Sequence, residues 1–349
     1  MKKGVLVGIS GGVDSAVAAA ILKESGYRVE GLYIQNGFPA GSEREAAAVA
    51  DRLGFPLYIL DAASSFGKDV VAYFAGEYLS GRTPNPCIVC NKKIKLRYLL
   101  EEAHARGLDS IATGHYARIE GSVGEDGLRL FKGIDREKDQ SYFLFQVGQK
   151  ELKHLIFPNG DKTKKEIQKM AMGLGLPPRK ESQEICFIPD DNYRNFLETY
   201  PITLPRPGNI MDREGNVVGK HRGTHTLTIG QRKGLNIASR RPYYVLEINT
   251  ERDEVIVGRK EDQFVGGLVA NNCSWISNKP ADGDTLHART YIRYRHEGVD
   301  SEITLLSEGQ VRIRFMTPQK AVAPGQAAVF FQGDRLLGGG WIERGLHNA

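Results

Sequence analysis

Residues 4–23, GVLVGISGGVDSAVAAAILK, constrain the fold more than any other stretch of the chain. Val5 to Ile9 is a short apolar run with β-branched residues, long enough for one buried strand. Ser10, Gly11 and Gly12 make a tight turn whose glycines let the backbone come close to a ligand. From Val13 the run AVAAAIL reads as a helix, closed by Gly26. Strand, turn and helix start together present amides and the positive end of a helix dipole, which suits a phosphate. A ligand-free strand-to-helix turn would account for the glycines, but not for Asp14 and Ser15 in the first helical turn. An acid beside a phosphate makes sense if Mg²⁺ lies between the two like charges.

The pattern G-x-x-x-x-G-K-[ST] is absent, and no lysine follows the glycines. The run SGGVDS instead resembles the PP-loop, S-G-G-x-D-S, of ATP-dependent adenylating enzymes. That resemblance implies cleavage between the α and β phosphates of ATP, giving AMP and pyrophosphate. It puts the nucleotide contacts on Gly8, Ile9, Ser10, Gly11, Gly12, Val13, Asp14 and Ser15, with Asp14 holding Mg²⁺.

The following residues repeat the same architecture. Arg28 to Gln35 reads as a second strand. Ser42 and Glu45 form a capping box for a helix that Gly54 ends. Pro56 to Leu60 is a third strand and Ser64 to Leu79 a helix. Asn91 is expected to cap a helix that Gly107 stops, and Asp109 to Thr113 is a fourth strand. Strands alternating with helices predict a doubly wound parallel sheet, with its ligand site outside the carboxyl ends of the strands. Ile34 and Gly114 are then expected near the base of the nucleotide, with Ile34 as a plain core residue equally consistent.

Past residue 115 the texture changes. Tyr116 to Gly133 reads as a hairpin. Lys150 to Leu174 reads as a helix that Pro177 and Pro178 break, and Pro201 to Asn209 as a linker. The remainder alternates in period two around Gly, Asp and Asn turns, an all-β texture. The expected domains are a catalytic α/β domain over 1–205, a small β-rich domain over 206–265 and a β-barrel over 266–349.

The 47 basic and 42 acidic residues leave a net charge of +5, too mild on its own to indicate a polyanion. No apolar run approaches the roughly 20 residues of a membrane helix, and the opening MKKGVLVGIS reads as a strand rather than a signal peptide, so a cytoplasmic protein without a membrane partner is expected. Four cysteines in 349 residues are too sparse for a secreted disulfide framework. Cys87 and Cys90 sit in TPNPCIVCNKKIK. The prolines are expected to put both on an exposed loop, with Cys90 at a helix N-terminus near Lys92 and Lys93, a setting that lowers a thiol pKa. Cys186, in ESQEICFIP, and Cys273 each read alone as core residues.

Taken together, SGGVDS (10–15), PNPCIVCN (84–91), TGHYAR (113–118), KDQSYFL (138–144), SQEICFI (182–188), GQRKGL (230–235), RYR (293–295) and PGQAAVF (324–330) resemble, in order and over nearly the whole chain, the bacterial and organellar tRNA-specific 2-thiouridylases. The resemblance implies an adenine-nucleotide alpha-hydrolase type of sheet and a three-step reaction. ATP adenylates the oxygen on carbon 2 of the wobble uracil, a persulfide supplies sulfur to that carbon, and AMP leaves. Cys186 matches the persulfide-bearing cysteine and Cys90 the cysteine that attacks it or forms a disulfide with it. The implied tRNA contacts are His115, Lys138, Asp139, Gln140, Arg293, Tyr294 and Gln326, and the implied partners are tRNA and a sulfur-donating protein.

Two positions depart from the pattern. Many members carry an aspartate where this chain has Cys87, and the connection after Ile34 is shorter than in many. Cys87, Cys90 and Cys186 therefore also admit a rival arrangement, three thiolates around a 4Fe–4S cluster. On the RNA side, Thr290 to Arg295 reads as a strand whose Tyr291, Arg293 and Arg295 share a face with Arg289. Gln231, Arg232 and Lys233 form a second basic turn. A PP-loop synthetase for a small molecule has no use for Cys90 and Cys186, and a non-catalytic RNA-binding protein none for Ser10, Asp14 and Ser15.

Overall fold

The computed structural model describes residues 3–38, 42–122, 127–176, 185–188, 192–277 and 279–347. The first seven strands are β1 (Gly4–Gly8), β2 (Arg28–Gln35), β3 (Leu57–Asp61), β4 (Ser110–Ala112), β5 (Ala117–Glu120), β6 (Arg129–Lys132) and β7 (Leu155–Ile156). Five of them form one parallel sheet in the order β3-β2-β1-β4-β7. Central β1 is apolar, and Val5, Leu6 and Val7 are fully buried. The order reverses between β1 and β4, and at such a switch point the loops leaving the two strands diverge and open a crevice.

The helices follow from local chemistry. α1 (Val13–Glu24) buries Ala16, Val17, Ala18, Ala19 and Ala20, small side chains that let it pack closely on its neighbours. α2 (Glu43–Leu53) starts at Ser42, whose side chain accepts from the Glu45 amide, and ends at Gly54 with φ 65°. α3 (Ala63–Phe66) runs through a π turn into α4 (Ala72–Leu79).

The cysteine segment differs from expectation. α5 (Pro86–Cys90), a π turn (Asn91–Leu96) and α6 (Arg97–Ala105) are one continuous helix. Pro86 begins it, a position where the missing amide hydrogen costs nothing. Asn91, expected as a cap, has mid-helix dihedrals of −58° and −47°. The expected helix over Lys150 to Leu174 is likewise divided, into α7 (Gln149–Leu152), strand β7 and α8 (Lys164–Gly173). Thr163 and Glu166 form a capping box that restarts the helix at Lys164.

After α9 (Tyr193–Thr199), strands β8 (Gly208–Met211), β9 (Val217–His221), β10 (Tyr244–Asn249) and β11 (Glu254–Gly258) make a separate sheet around Ile210, Val245, Val255 and Val257. The last six strands are β12 (Phe264–Trp275), β13 (Thr285–Tyr291), β14 (Val299–Leu305), β15 (Val311–Lys320), β16 (Ala327–Gln332) and β17 (Arg335–Leu346). Antiparallel pairing in the order β12-β15-β14-β13-β16-β17, with β12 also paired to β17, closes them into a barrel. The strand expected over Thr290 to Arg295 stops at Tyr291. Arg293 to Arg295 lie in a turn, where the His296 amide bonds to the Arg293 carbonyl, so they share no strand face with Arg289.

The barrel is built into the catalytic region. The β5–β6 hairpin pairs through Leu130 and Phe131 with Leu336 and Arg335 of β17. A single apolar cluster contains Leu6, Ile88 and Leu99 together with Val329, Phe331 and Leu336. Among the described residues no helix is long and apolar enough to cross a membrane.

Candidate active site

The turn after β1 is shaped by its two serines. Ser15 Oγ donates to the Gly12 carbonyl at 3.0 Å and accepts from the Ser10 amide at 3.2 Å, drawing the loop around the start of α1. Gly11 has φ 80°, and a Cβ there would lie 2.8 Å from Glu45 Cβ. Gly12 occupies the N-cap position and brings no side chain to the first-turn amides. Ile9 is 2% exposed with its side chain in the core, so only its backbone faces the loop. Ile34 is half-buried and packs against two apolar clusters.

Asp14 is paired within the protein. Lys164 Nζ donates to its two oxygens at 2.7 and 2.9 Å, and Tyr116 Oη to Oδ1 at 2.7 Å. Lys164 opens α8, so the capping box of that helix also aims this ammonium. The protein thus offers Mg²⁺ one carboxylate, which suits the ion where phosphate oxygens and water complete its shell.

Gly114 follows β4 and touches α1 directly. A Cβ there would meet the Asp14 carbonyl carbon at 2.8 Å and the Ser15 nitrogen at 2.9 Å. Asn159 ties the same two segments together. Fully buried, its Nδ2 donates to the Asp14 carbonyl at 2.9 Å and the Gly114 carbonyl at 3.0 Å, while Oδ1 has no partner. In sequence Asn159-Gly160 is only a turn signal, and neither Asn159 nor Lys164 stood out.

His115 is buried, its Nδ1 2.7 Å from Thr113 Oγ1. Burial, helped by the nearby charge of Lys95, pulls its pKa down to about 3, so the ring is neutral at ordinary pH.

Lys95 leads to the cysteines. All four cysteines are free thiols: Cys90 is buried, and Cys87 and Cys186 are half-buried. Burial pushes Cys87 up to about 11 and Cys90 up to about 12, against the lowering influence of Lys95. Cys186 is raised for the same reason and opposed by the same lysine. This reverses the expected activation of Cys90. It lies inside a helix rather than at its N-terminus, and Lys92 and Lys93 are turned to Glu151 and Asp69. Cys186 is half-buried at the edge of the apolar cluster that holds Cys90 and Phe187. Phe187 beside it is 2% exposed and packs its ring within 5.3–5.6 Å of Phe38, Phe66, Phe74 and Phe196, which anchors the half-exposed sulfur. Ser182 to Glu184 of that motif, and Pro177 and Pro178, lie outside the described residues.

Among the described residues no three His, Cys, Asp or Glu side chains are grouped so that they could hold a metal ion.

The remaining candidates divide into internal ties and outward groups. Asp139 accepts from the amides of Gly133 and Ser141 at 3.0 and 3.1 Å, closing its own turn. Gln140 Oε1 accepts from the Tyr116 amide at 3.2 Å. Gln326 Nε2 donates to the Thr83 and Pro84 carbonyls at 3.1 and 3.0 Å, so the barrel holds the residues that lead into α5. Lys138 is half-buried in the turn before Asp139. Tyr294 packs its ring on Phe143 at 4.4 Å, and Arg293 Nη1 is buried with no hydrogen-bond partner.

A glycine–serine loop at the switch point of a parallel sheet defines a nucleotide-binding α/β protein, and in this one Cys87, Cys90 and Cys186 all feel the charge of one lysine. Residues 3–190 match the family model for the tRNA methyl transferase HUP domain, 194–259 its PRC-barrel domain and 265–342 the aminomethyltransferase beta-barrel domain. The chain is 46% identical to the tRNA-specific 2-thiouridylase MnmA 2 of Syntrophus aciditrophicus, over 91% of this chain and 99% of that protein. It is 43% identical to MnmA of Geobacter metallireducens (99% and 98% covered) and 46% identical to MnmA of Syntrophotalea carbinolica (97% and 98%). The chain belongs to the tRNA-specific 2-thiouridylase family.

Proposed function

We propose that this protein uses ATP to replace the oxygen on carbon 2 of the tRNA wobble uridine with sulfur. The observation that carries this reading is the join made by Gly114 and His115. Gly114 abuts Asp14 and Ser15 of the phosphate loop, and the charge of Lys95 acts both on His115, the next residue, and on Cys87, Cys90 and Cys186. This supports a reading in which nucleotide and sulfur chemistry share one region of the protein.

A uracil carbonyl is a poor electrophile with a very poor leaving group. Attack of the carbon-2 oxygen on the α-phosphorus of ATP displaces pyrophosphate and converts that oxygen into part of an AMP leaving group. The first-turn amides of α1 and the ammonium of Lys164 are suited to receive the departing phosphates. Mg²⁺, held by Asp14 and phosphate oxygens, would neutralise charge there. The terminal sulfur of a Cys186 persulfide then attacks carbon 2, and AMP leaves with the original oxygen. Attack of the Cys90 thiolate on Cys186 Sγ breaks the bond to the transferred sulfur. This releases 2-thiouridine and leaves a Cys90–Cys186 disulfide. Two external thiols, themselves oxidised to a disulfide, supply the two electrons that reduce it, and a sulfur-donating protein reloads Cys186.

The names of the relatives support tRNA as the substrate, and a cytoplasmic location accords with that reading. Arg293, Tyr294, Lys138 and the Arg232–Lys233 turn are the groups offered to the RNA. The test is release of AMP and pyrophosphate from ATP by the purified protein with a persulfide donor. The reading requires release that depends on unmodified tRNA, and tRNA-independent release with no sulfur in the RNA would refute it.

A further inference from the structure

Lys95 was not among the sequence candidates, and its position depends on a helix irregularity. In a regular α-helix, residues five apart diverge by about 140° around the axis. The π turn Asn91–Leu96 begins immediately after Cys90, and its wider i→i+5 repeat brings residues five apart, here Cys90 and Lys95, toward one face. Such turns recur at functional sites. Lys95 is reached by solvent, yet the groups acting on its charge are internal: burial lowers its pKa, and Cys90, Cys87 and Cys186, in that order, more than reverse this. No carboxylate is among them. His115, also close, is neutral.

We propose that Lys95 is the counter-ion of the sulfur recess: its ammonium stands against whichever of Cys90 and Cys186 carries negative charge and holds that sulfur in place for transfer. It bonds to no substrate and acts as a positioning residue. Burial makes an anionic sulfur unfavourable unless a cation faces it, and Lys95 is the cation that acts on all three thiols. A mobile ammonium on a flexible stem suits this task, since the charge passes from one sulfur to another as the reaction proceeds. The assignment extends the proposed sulfur transfer, but its test does not depend on tRNA.

The reduced full-length protein is alkylated with anionic iodoacetate and, separately, with neutral iodoacetamide, and the rates at Cys90 and Cys186 are read by peptide mass spectrometry. A local cation favours the anionic reagent. Lys95→Gln should lower the iodoacetate-to-iodoacetamide rate ratio about tenfold, and Lys95→Arg should restore most of it. An unchanged ratio in Lys95→Gln, or a fall that Lys95→Arg does not reverse, overturns the assignment. A ratio that shifts as expected in a protein that never thiolates tRNA would uphold Lys95 as the counter-ion while refuting the proposed function.

Discussion

Lys164 Nζ lies 2.7 Å from Asp14 Oδ1, which joins the first turn of α8 to the first turn of α1 across the phosphate loop. Both ends of the pair are positioned by helix starts, so the pair is a fixed part of the loop. Replacing Asp14 by Asn leaves the fold but removes the charge that Lys164 answers to and that is proposed to hold Mg²⁺. AMP formation should fall by roughly two orders of magnitude, while tRNA affinity in a filter-binding assay stays within about twofold, because the groups proposed to meet the RNA lie elsewhere.

Gly114 permits no side chain. A methyl group there meets Asp14 and Ser15 backbone atoms at 2.8–2.9 Å, and neither flexible side chains nor solvent can give way. Gly114→Ala should cost about 1–3 kcal/mol of stability and weaken ATP binding measured by calorimetry, because the α1 start shifts with it.

His115 sets a pH dependence. Its pKa is lowered from 6.5 to about 3 in the folded protein by burial, with Lys95 adding to the effect. The unfolded chain therefore takes up the proton first. The stability linked to a neutral His115 is complete above pH 6.5 and is lost as pH falls toward 3, at about 1.4 kcal/mol per pH unit. In thermal unfolding from pH 7 to 5, His115→Asn should show a shallower loss than the unchanged protein.

Gln326 links the barrel to the cysteine helix through two carbonyl contacts. Gln326→Ala leaves the Thr83 and Pro84 carbonyls without this donor, at about 1 kcal/mol for each hydrogen bond. Alkylation of Cys87 by iodoacetamide should accelerate several-fold, since the segment before α5 is then less firmly held.

The legible parts of the molecule were those set by neighbours in sequence. β1, its glycine turn and α1 follow from twenty contiguous residues, and Ser42 caps α2 through the Glu45 amide as its spacing implied. The period-two texture after residue 206 gave the β-rich region and the barrel. What failed depends on distant partners or on exceptions to local rules. Pro86 looked like a helix breaker but starts a helix. β7 is two residues long, too short to interrupt a helical pattern by itself. Asn159, Lys164 and Lys95 acquire meaning only when the chain brings Asp14, Gly114 and the cysteines to them. The basic stripe read along Thr290 to Arg295 failed because the strand ends at Tyr291, leaving the Arg293 guanidinium partly buried in the turn.

The proposed function joins ATP activation of a uracil to sulfur transfer through Cys90 and Cys186. The most direct measurement is mass spectrometry of unmodified tRNA after incubation with ATP, a persulfide donor and either the unchanged protein, Cys90→Ser or Cys186→Ser. The account predicts oxygen-for-sulfur exchange at the wobble uridine with the unchanged protein only, and neither variant thiolating the RNA. Exchange that persists in both variants would contradict it.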